Sequence, residues 1–285
     1  MQIVHYKHAL DRAQVASRPP LQTPSLASTD VATADPRTLV SFRCNICSRP
    51  NTVRLSEINR ETVSCGGCAS TVRFRAIVDL LINALFGDDL RLDEIPVRKD
   101  IKGLGLSDSS IYARALADKF DYTNSYYHCE PRVDIANPPA HLAGKHDFLI
   151  SSDVFEHVIP PISRAFSNAR RMLKPNGVFV FTVPFGTKPE TVEYYPELFD
   201  YRICEKKGRW TLHNRTADGR FQTFSNLVFH GGPGETLEMR MFSRRGLERE
   251  FAQAGFRDVR VVSEPCLPHG IIWPEGWSVP IVARA

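Results

Sequence analysis

Long apolar runs are missing from this 285-residue chain; none approaches the length of a membrane span. The first residues, MQIVHYKHALDRAQ, lack an apolar core followed by a small-residue cleavage site, so secretion is not expected. A strong excess of either charge is missing, with 36 Lys and Arg against 32 Asp and Glu. A net charge of +4 permits an anionic partner but does not argue for nucleic acid. The basic and aromatic residues are not interleaved as in single-strand binders. No internal repeat occurs. Cysteine is sparse, seven residues in all. Four fall in two C-x-x-C pairs, while Cys129, Cys204 and Cys266 are scattered. Such a set fits a reducing cytosol and a metal site better than disulfides. The remaining composition, 42% hydrophobic and 24% charged, is that of a globular protein with room for one substantial domain and a small one.

Residues 1–38 show no sustained period, and 17–36 are rich in Ser, Thr, Pro, Ala and Asp. They are expected to form a flexible leader, with at most a short ordered piece near 1–6. Cys44, Cys47, Cys65 and Cys68 follow at C-x2-C-x17-C-x2-C spacing, that of a zinc ribbon. Each C-x-x-C turn presents two thiolates to one ion, and two turns complete a tetrahedron. Four cysteines leave no open position, so the zinc is expected to be structural. Residues 71–86 carry the apolar face of a helix. Arg73 and Arg75 at its start either grip an anionic substrate or form a solvated face or internal salt bridges. The acidic stretch 87–96 reads as a domain boundary, giving a ribbon-plus-helix unit over 39–90.

From residue 91 onward strands and helices alternate. Short strands are expected at 101–106, 122–127 and 132–135, then at 148–152 and 178–183. Ser107 or Asp108 caps the helix after the first strand. A late helix starts near Ser243 and stops at Gly255, ahead of strands at 259–263 and 279–284. Seven strands with interleaved helices mean an α/β, doubly wound, mostly parallel sheet, with ligands beyond the strands' carboxyl ends. Residues 186–241 are too long for a plain connection. They read as one or two hairpins on Lys207-Gly208 and Asp218-Gly219 turns, then the glycine-rich run HGGPG at 230–234. An insertion on that edge is where substrate selection usually lives.

DFLISSDVFEHV followed by RRMLKPNGVFVFTVPF resembles motifs of class I S-adenosylmethionine-dependent methyltransferases. These show an acidic-led strand, an EH pair and an LKPGG-type turn before the fifth strand. The AGF ending of the late helix, with two strands after it, also fits. The resemblance covers residues 97–285 and implies a Rossmann-like sheet, S-adenosylmethionine as cofactor and methyl transfer as activity. A zinc ribbon ahead of such a domain resembles methyltransferase-like proteins found among bacterial surface-glycan genes.

Aligned with the family's glycine turn, Gly103 takes the acidic position and Gly105, Ser107 and Ser109 the three glycine positions. Asp108 then binds the cofactor's ammonium group, or Ser107 and Asp108 merely cap the helix. Glu130 stands in for the acid that takes the ribose hydroxyls, and Asp134 for the acid at the adenine amino group; either is otherwise a surface acid in a turn. Ser152, Asp153, Glu156 and His157 follow the fourth strand, where cofactor and substrate meet. His157 is the candidate base, with Asp153 beside it; alternatively Glu156-His157 is a structural pair. His230, Glu238 and Arg240 are candidates on the substrate side, and Tyr194, Tyr195 and Tyr201 line an acceptor or pack the insertion. The expected reaction is O-methylation of a glycan or other small-molecule acceptor, in the cytoplasm. Alternatives are an RNA or protein methyltransferase recruited through the ribbon, or a non-catalytic cofactor-binding protein. A homo-oligomer is left open.

Overall fold

The computed structural model describes residues 35–274 and 276–285. The expected leader, 1–38, falls almost wholly outside the described residues, as does the ordered piece expected near 1–6. Strands β1 (Leu39–Arg43) and β2 (Pro50–Arg54) form an antiparallel hairpin around the first cysteine turn. The second cysteine turn leads into helix α1 (Val72–Phe86). Thr71 caps it by accepting the Phe74 N–H, and Gly87 closes it in the left-handed region at φ 76°.

The central sheet has six strands. These are β3 (Arg98–Leu106), β4 (Phe120–Ser125), β5 (His146–Ser152), β6 (Leu173–Thr182), and the late pair β15 (Arg257–Val261) and β16 (Ile281–Arg284). Their order is β15-β16-β6-β5-β3-β4. Strands β4, β3, β5 and β6 are parallel, β16 runs antiparallel to β6, and β15 antiparallel to β16. The doubly wound class stands, with six strands instead of the expected seven. Residues 132–135 make only one parallel bridge, Tyr126 to Arg132. Pro131 brings no N–H to a ladder. Asp134 then closes a turn, its carboxylate accepting from Ala136 N–H and its carbonyl from Asn137 N–H.

Strand β6 shows why the sheet needs cover on both sides. Phe179 and Phe181 pack into one cluster with Phe155, Phe166 and Phe251, while Val178 and Val180 face the other way. That is period two with both faces buried. Helices α3 (Ser163–Met172) and α4 (Arg244–Gln253) cover the first face. The second is covered by α1, by α2 (Ser110–Lys119) and by the ribbon, since Phe42, Cys44, Ile46, Ile77, Val78, Leu81, Phe148 and Val180 share one apolar cluster. Leu92 and Ile95 belong to it as well. The expected boundary at 87–96 is therefore a connection inside a continuous core. The cap of α2 is Ser109, whose hydroxyl accepts the Ile111 N–H, not Ser107 or Asp108.

Within the insertion, β7 (Phe185–Gly186) and β8 (Val192–Glu193) both pair with β14 (Arg240–Ser243), which stitches the two ends of the excursion together. Between them lies the meander β9 (Asp200–Lys206), β10 (Arg209–Arg215) and β11 (Phe221–Phe224), turning at Lys207-Gly208 and Asp218-Gly219. The run 230–234 bends between β12 (Phe229–His230) and β13 (Thr236–Leu237). The late helix matches its expectation, with Ser243 capping α4 and Gly255 left-handed after it. Among the described residues no helix is long and apolar enough to cross a membrane.

Candidate active site

A cavity of about 510 Å³ opens at the carboxyl ends of β3, β4 and β5, where a parallel sheet holds its ligands. Ser107, Ser125, Asp134, Asp153, His157 and His230 line it, with Tyr127 and Tyr201. No lysine or arginine is among its lining residues. Ser107 and Asp153 both have positive φ, 56° and 54°. Left-handed conformation in non-glycine residues costs on the order of 1 kcal/mol each and persists where surroundings enforce it. At Asp153 the enforcing bonds are visible.

Arg60, from the loop between the two cysteine turns, donates to both Asp153 oxygens, Nη2 to Oδ1 at 2.7 Å and Nη1 to Oδ2 at 3.0 Å. Arg73 of α1 reaches the same carboxylate at 3.4 Å and also donates to the Ser152 hydroxyl. Thr182 donates to Oδ1 at 2.9 Å. Burial pushes the Asp153 pKa up, but the Arg60 hydrogen bonds and charge, then Arg73 and Thr182, outweigh it and hold the group below the usual range. Asp153 is thus an ionised, fully engaged anchor, a poor proton acceptor. Ser152 is tied to Thr182 at 3.0 Å and does not line the cavity. Arg73 and Arg75 are internal, which settles the choice left open by sequence. Arg73 also grips Glu61, and buried Arg75 donates to Ser64, to Ser70 and to the Gly270 carbonyl. Of the two arginines that motivated an anionic substrate, Arg73 thus ties the ribbon to the floor of the cavity and Arg75 ties it to the turn at Gly270.

His157 donates from Nδ1 to the Leu237 carbonyl at 2.9 Å, which leaves Nε2 as an acceptor. Burial lowers its pKa, opposed by the Leu237 bond and reinforced by the neighbouring His230, which favours the neutral ring. The Glu156 carbonyl accepts from Met239 N–H at 2.7 Å. The EH pair therefore clamps the insertion over the end of β5. Glu156 itself is buried with neither oxygen hydrogen-bonded, and burial, then Asp153, raises its pKa well above the ordinary value.

Arg240, expected on the substrate side, is buried. Its Nη1 donates to the carbonyls of Phe155 and Val158, both at 2.7 Å, and Nε donates to Glu193 at 2.6 Å. It holds the Phe155–His157 turn from behind and faces no substrate. His230 is exposed at the cavity mouth, 3.8 Å from Glu238. Of the three tyrosines only Tyr201 lines the cavity; Tyr195 is buried within the insertion and Tyr194 packs against that core.

On the cofactor side the expectations divide. Asp134 and Ser107 line the cavity. Asp108 does not. Its carboxyl is buried between two phenols, accepting from Tyr112 at 2.8 Å and Tyr122 at 2.5 Å. Burial raises its pKa to about 7, against the pull of those two bonds. Gly105 makes room for this trio, since a Cβ there would lie 2.0 Å from the Tyr122 oxygen and 2.4 Å from Asp108. Gly103 accommodates the Phe148 ring in the same way, at 2.0 Å. The two glycines serve packing and not approach to a ligand. Glu130 is exposed, accepts the Arg132 N–H and does not line the cavity. Among the lining residues of β3, β4 and the turns after them, the one acid is Asp134.

A family model described as "Methyltransferase domain" matches residues 98–261. The chain belongs to this family. The resemblance read from the strand-helix-strand segment is thereby borne out. No curated protein matches the methyltransferase. Among solved structures it is similar to an S-adenosylmethionine-bound amino pentose methyltransferase from Micromonospora echinaspora, at 15% identity over 75% of this chain and 92% of that chain, TM-score 0.42. It is also similar to the 1,6-didemethyltoxoflavin-N1-methyltransferase of Burkholderia thailandensis, at 14% identity over 73% and 77%, TM-score 0.41. A third is an S-adenosylmethionine-dependent methyltransferase from Mesorhizobium loti, at 14% identity over 77% and 100%, TM-score 0.39.

The methyltransferase also carries its four ribbon thiols as a cluster, all Sγ atoms within 4.8 Å of one another. Cys44 and Cys68 are 3.7 Å apart and Cys47 and Cys65 3.6 Å. A tetrahedron with Zn–S bonds of about 2.3 Å has edges of about 3.8 Å. The Gly67 N–H and the Asn51 amide point at the Cys65 sulfur, at 3.4 and 3.5 Å, as donors around a metal thiolate do. The Arg60–Asp153 pair escaped sequence reasoning, because nothing local marks a side chain whose partner lies 93 residues along the chain.

Proposed function

We propose that this methyltransferase transfers the methyl group of S-adenosylmethionine to a hydroxyl of a glycan or other small, uncharged acceptor, with His157 as general base. The observation that carries this is His157 at the cavity wall, neutral and with Nε2 left as an acceptor by the Leu237 bond. The cofactor supplies an already activated methyl on a sulfonium. Ser107, Ser125 and Asp134 are the residues that would hold it, on the side away from the insertion. The protein's own work is to orient the acceptor, exclude water and take a proton at Nε2. Lining without a single lysine or arginine suits a polyhydroxyl acceptor and disfavours a polyanion such as RNA. Zinc in the Cys44, Cys47, Cys65 and Cys68 cluster is structural in this reading, since four thiolates leave it no open position.

Calorimetry with S-adenosylmethionine on the folded, zinc-loaded protein tests the cofactor; no binding sinks the proposal. For the base, His157→Gln is expected to lower kcat about 10²–10⁴-fold while cofactor affinity holds. A variant of undiminished kcat returns His157 to a structural role. Tight cofactor binding with no turnover on any sugar pool favours a non-catalytic binding protein.

A further inference from the structure

The segment Cys266-Leu267-Pro268-His269-Gly270-Ile271 repeats the backbone of the two cysteine turns. In the first turn the Cys44 N–H donates to Arg49 carbonyl, five residues on, and Ser48, four residues on, is left-handed at φ 62°. In the second, Cys65 N–H donates to Ser70 carbonyl and Ala69 has φ 58°. In the third, Cys266 N–H donates to Ile271 carbonyl at 2.9 Å and Gly270 has φ 67°. The first and fourth positions, cysteines in the first two turns, hold Cys266 and His269. This is the knuckle that points two ligands at one ion.

A third ligand is already in place. Asp79, on the outer side of α1, has Oδ1 2.7 Å from His269 Nδ1, and Cys266 Sγ is 3.5 Å from the same nitrogen. One ligand atom from each of the three lies within 4.8 Å of the others. Both contacts converge on one nitrogen, so a Cys–His–Asp relay, which needs both ring nitrogens, is excluded. Convergence on a common point is instead what a shared cation needs. Beside the trio lies an open cleft of about 540 Å³ whose polar lining is Asp79, Asn83, Asp89, Arg260, Glu264 and Cys266, three carboxylates against one guanidinium, and it gives solvent a route to Asp79 and Cys266. The turn is also joined to the ribbon: Arg75 donates to the Gly270 carbonyl at 2.8 Å, and Gly270 packs against Phe42 without room for a Cβ.

We propose that Asp79, Cys266 and His269 form a second metal site, for a divalent zinc-like cation, with its fourth position open to the cleft. The mixed oxygen, sulfur and nitrogen set suits zinc better than calcium or magnesium. Binding displaces the thiol proton of Cys266 to solvent and moves the imidazole proton to Nε2, freeing Nδ1 as donor to the metal. The ion then ties α1 and the 266–271 turn together next to the ribbon, and it is chemically distinct from the closed tetrathiolate.

The test is metal analysis of the full chain produced in zinc medium and in cobalt medium. The expectation is two equivalents per chain, falling to one in Asp79→Asn and in His269→Ala. Asp79→Asn is the decisive variant, because its amide oxygen keeps the hydrogen bond to His269, so a purely structural Asp–His pair leaves the metal count of the variant equal to that of the wild type. In cobalt-grown protein the visible bands of a mixed-ligand tetrahedral ion add to those of the tetrathiolate, and the Asp79 variant loses only the former. One equivalent that survives Asp79→Asn and vanishes in Cys68→Ser overturns the second site while the ribbon zinc stands. One equivalent lost with Asp79→Asn upholds the second site and refutes the ribbon zinc. Two equivalents retained in both variants also overturn it.

Discussion

Replacing Asp108 with Asn isolates one buried proton. The carboxyl sits fully buried between Tyr112 and Tyr122, and burial lifts its pKa to about 7 from an ordinary 3.8. A raised folded-state value means the native state keeps a proton that the unfolded chain releases. Wild-type stability therefore carries its full contribution below about pH 4 and declines by about 1.4 kcal/mol per unit as pH rises toward 7. Above that the loss levels off, at about 4 kcal/mol in all. The amide cannot ionise, and it can accept from one phenol and donate to the other, so it lacks this slope. Urea unfolding of both proteins at a series of pH values reads the difference directly. The expected result is a gap that shifts in favour of the variant between about pH 4 and pH 7, then stays flat. A pH-independent gap refutes the account and means Asp108 ionises in place. Cofactor affinity should not change, since the carboxyl is turned from the cavity.

Arg60→Ala should cost about 1.5–3 kcal/mol, the worth of hydrogen bonds to a charged group, because Asp153 keeps Thr182 and Arg73. A double-mutant cycle with Asp153→Asn measures it, and a coupling near zero would contradict the geometry. Arg240→Met should lower stability by about 3 kcal/mol or more, leaving the Phe155 and Val158 carbonyls unpaired. The same variant should weaken catalysis through the Phe155–His157 turn, seen as a lower kcat with cofactor affinity kept. Chelation of the metal proposed for the ribbon thiols should loosen Arg60 and Arg73 together and reduce cofactor affinity; calorimetry before and after chelation checks this.

The sheet was legible because β5, α3 and β6 are each consistent with one period, apolar on two faces in the strands and on one in the helix. The cysteine spacing was legible for the same reason, being a purely local geometric demand. The glycines of β3 misled because spacing cannot say whether the room a glycine leaves is filled by a ligand or by a ring, here Phe148 and Tyr122. Arg240 misled likewise: an arginine near a substrate loop looks available until its partners, carbonyls more than 80 residues away, are known. Ser107 and His157 line the cavity because each closely follows a strand end, and His230 because it lies in the bent loop above one, while Asp134 reaches it from the turn beyond β4 and not from the strand expected at 132–135.

The shared apolar cluster has a practical consequence for anyone cutting this gene. The family match begins at residue 98, which invites an expression fragment starting there. Such a fragment would leave Phe148, Ile150, Val178 and Val180 without the Ile77, Val78 and Leu81 side chains that cover them, and Asp153 without Arg60 and Arg73. The smallest heritable unit of this enzyme is therefore larger than its recognisable motif. The ribbon and α1 cannot be cut away as a separate module without exposing part of one face of the sheet.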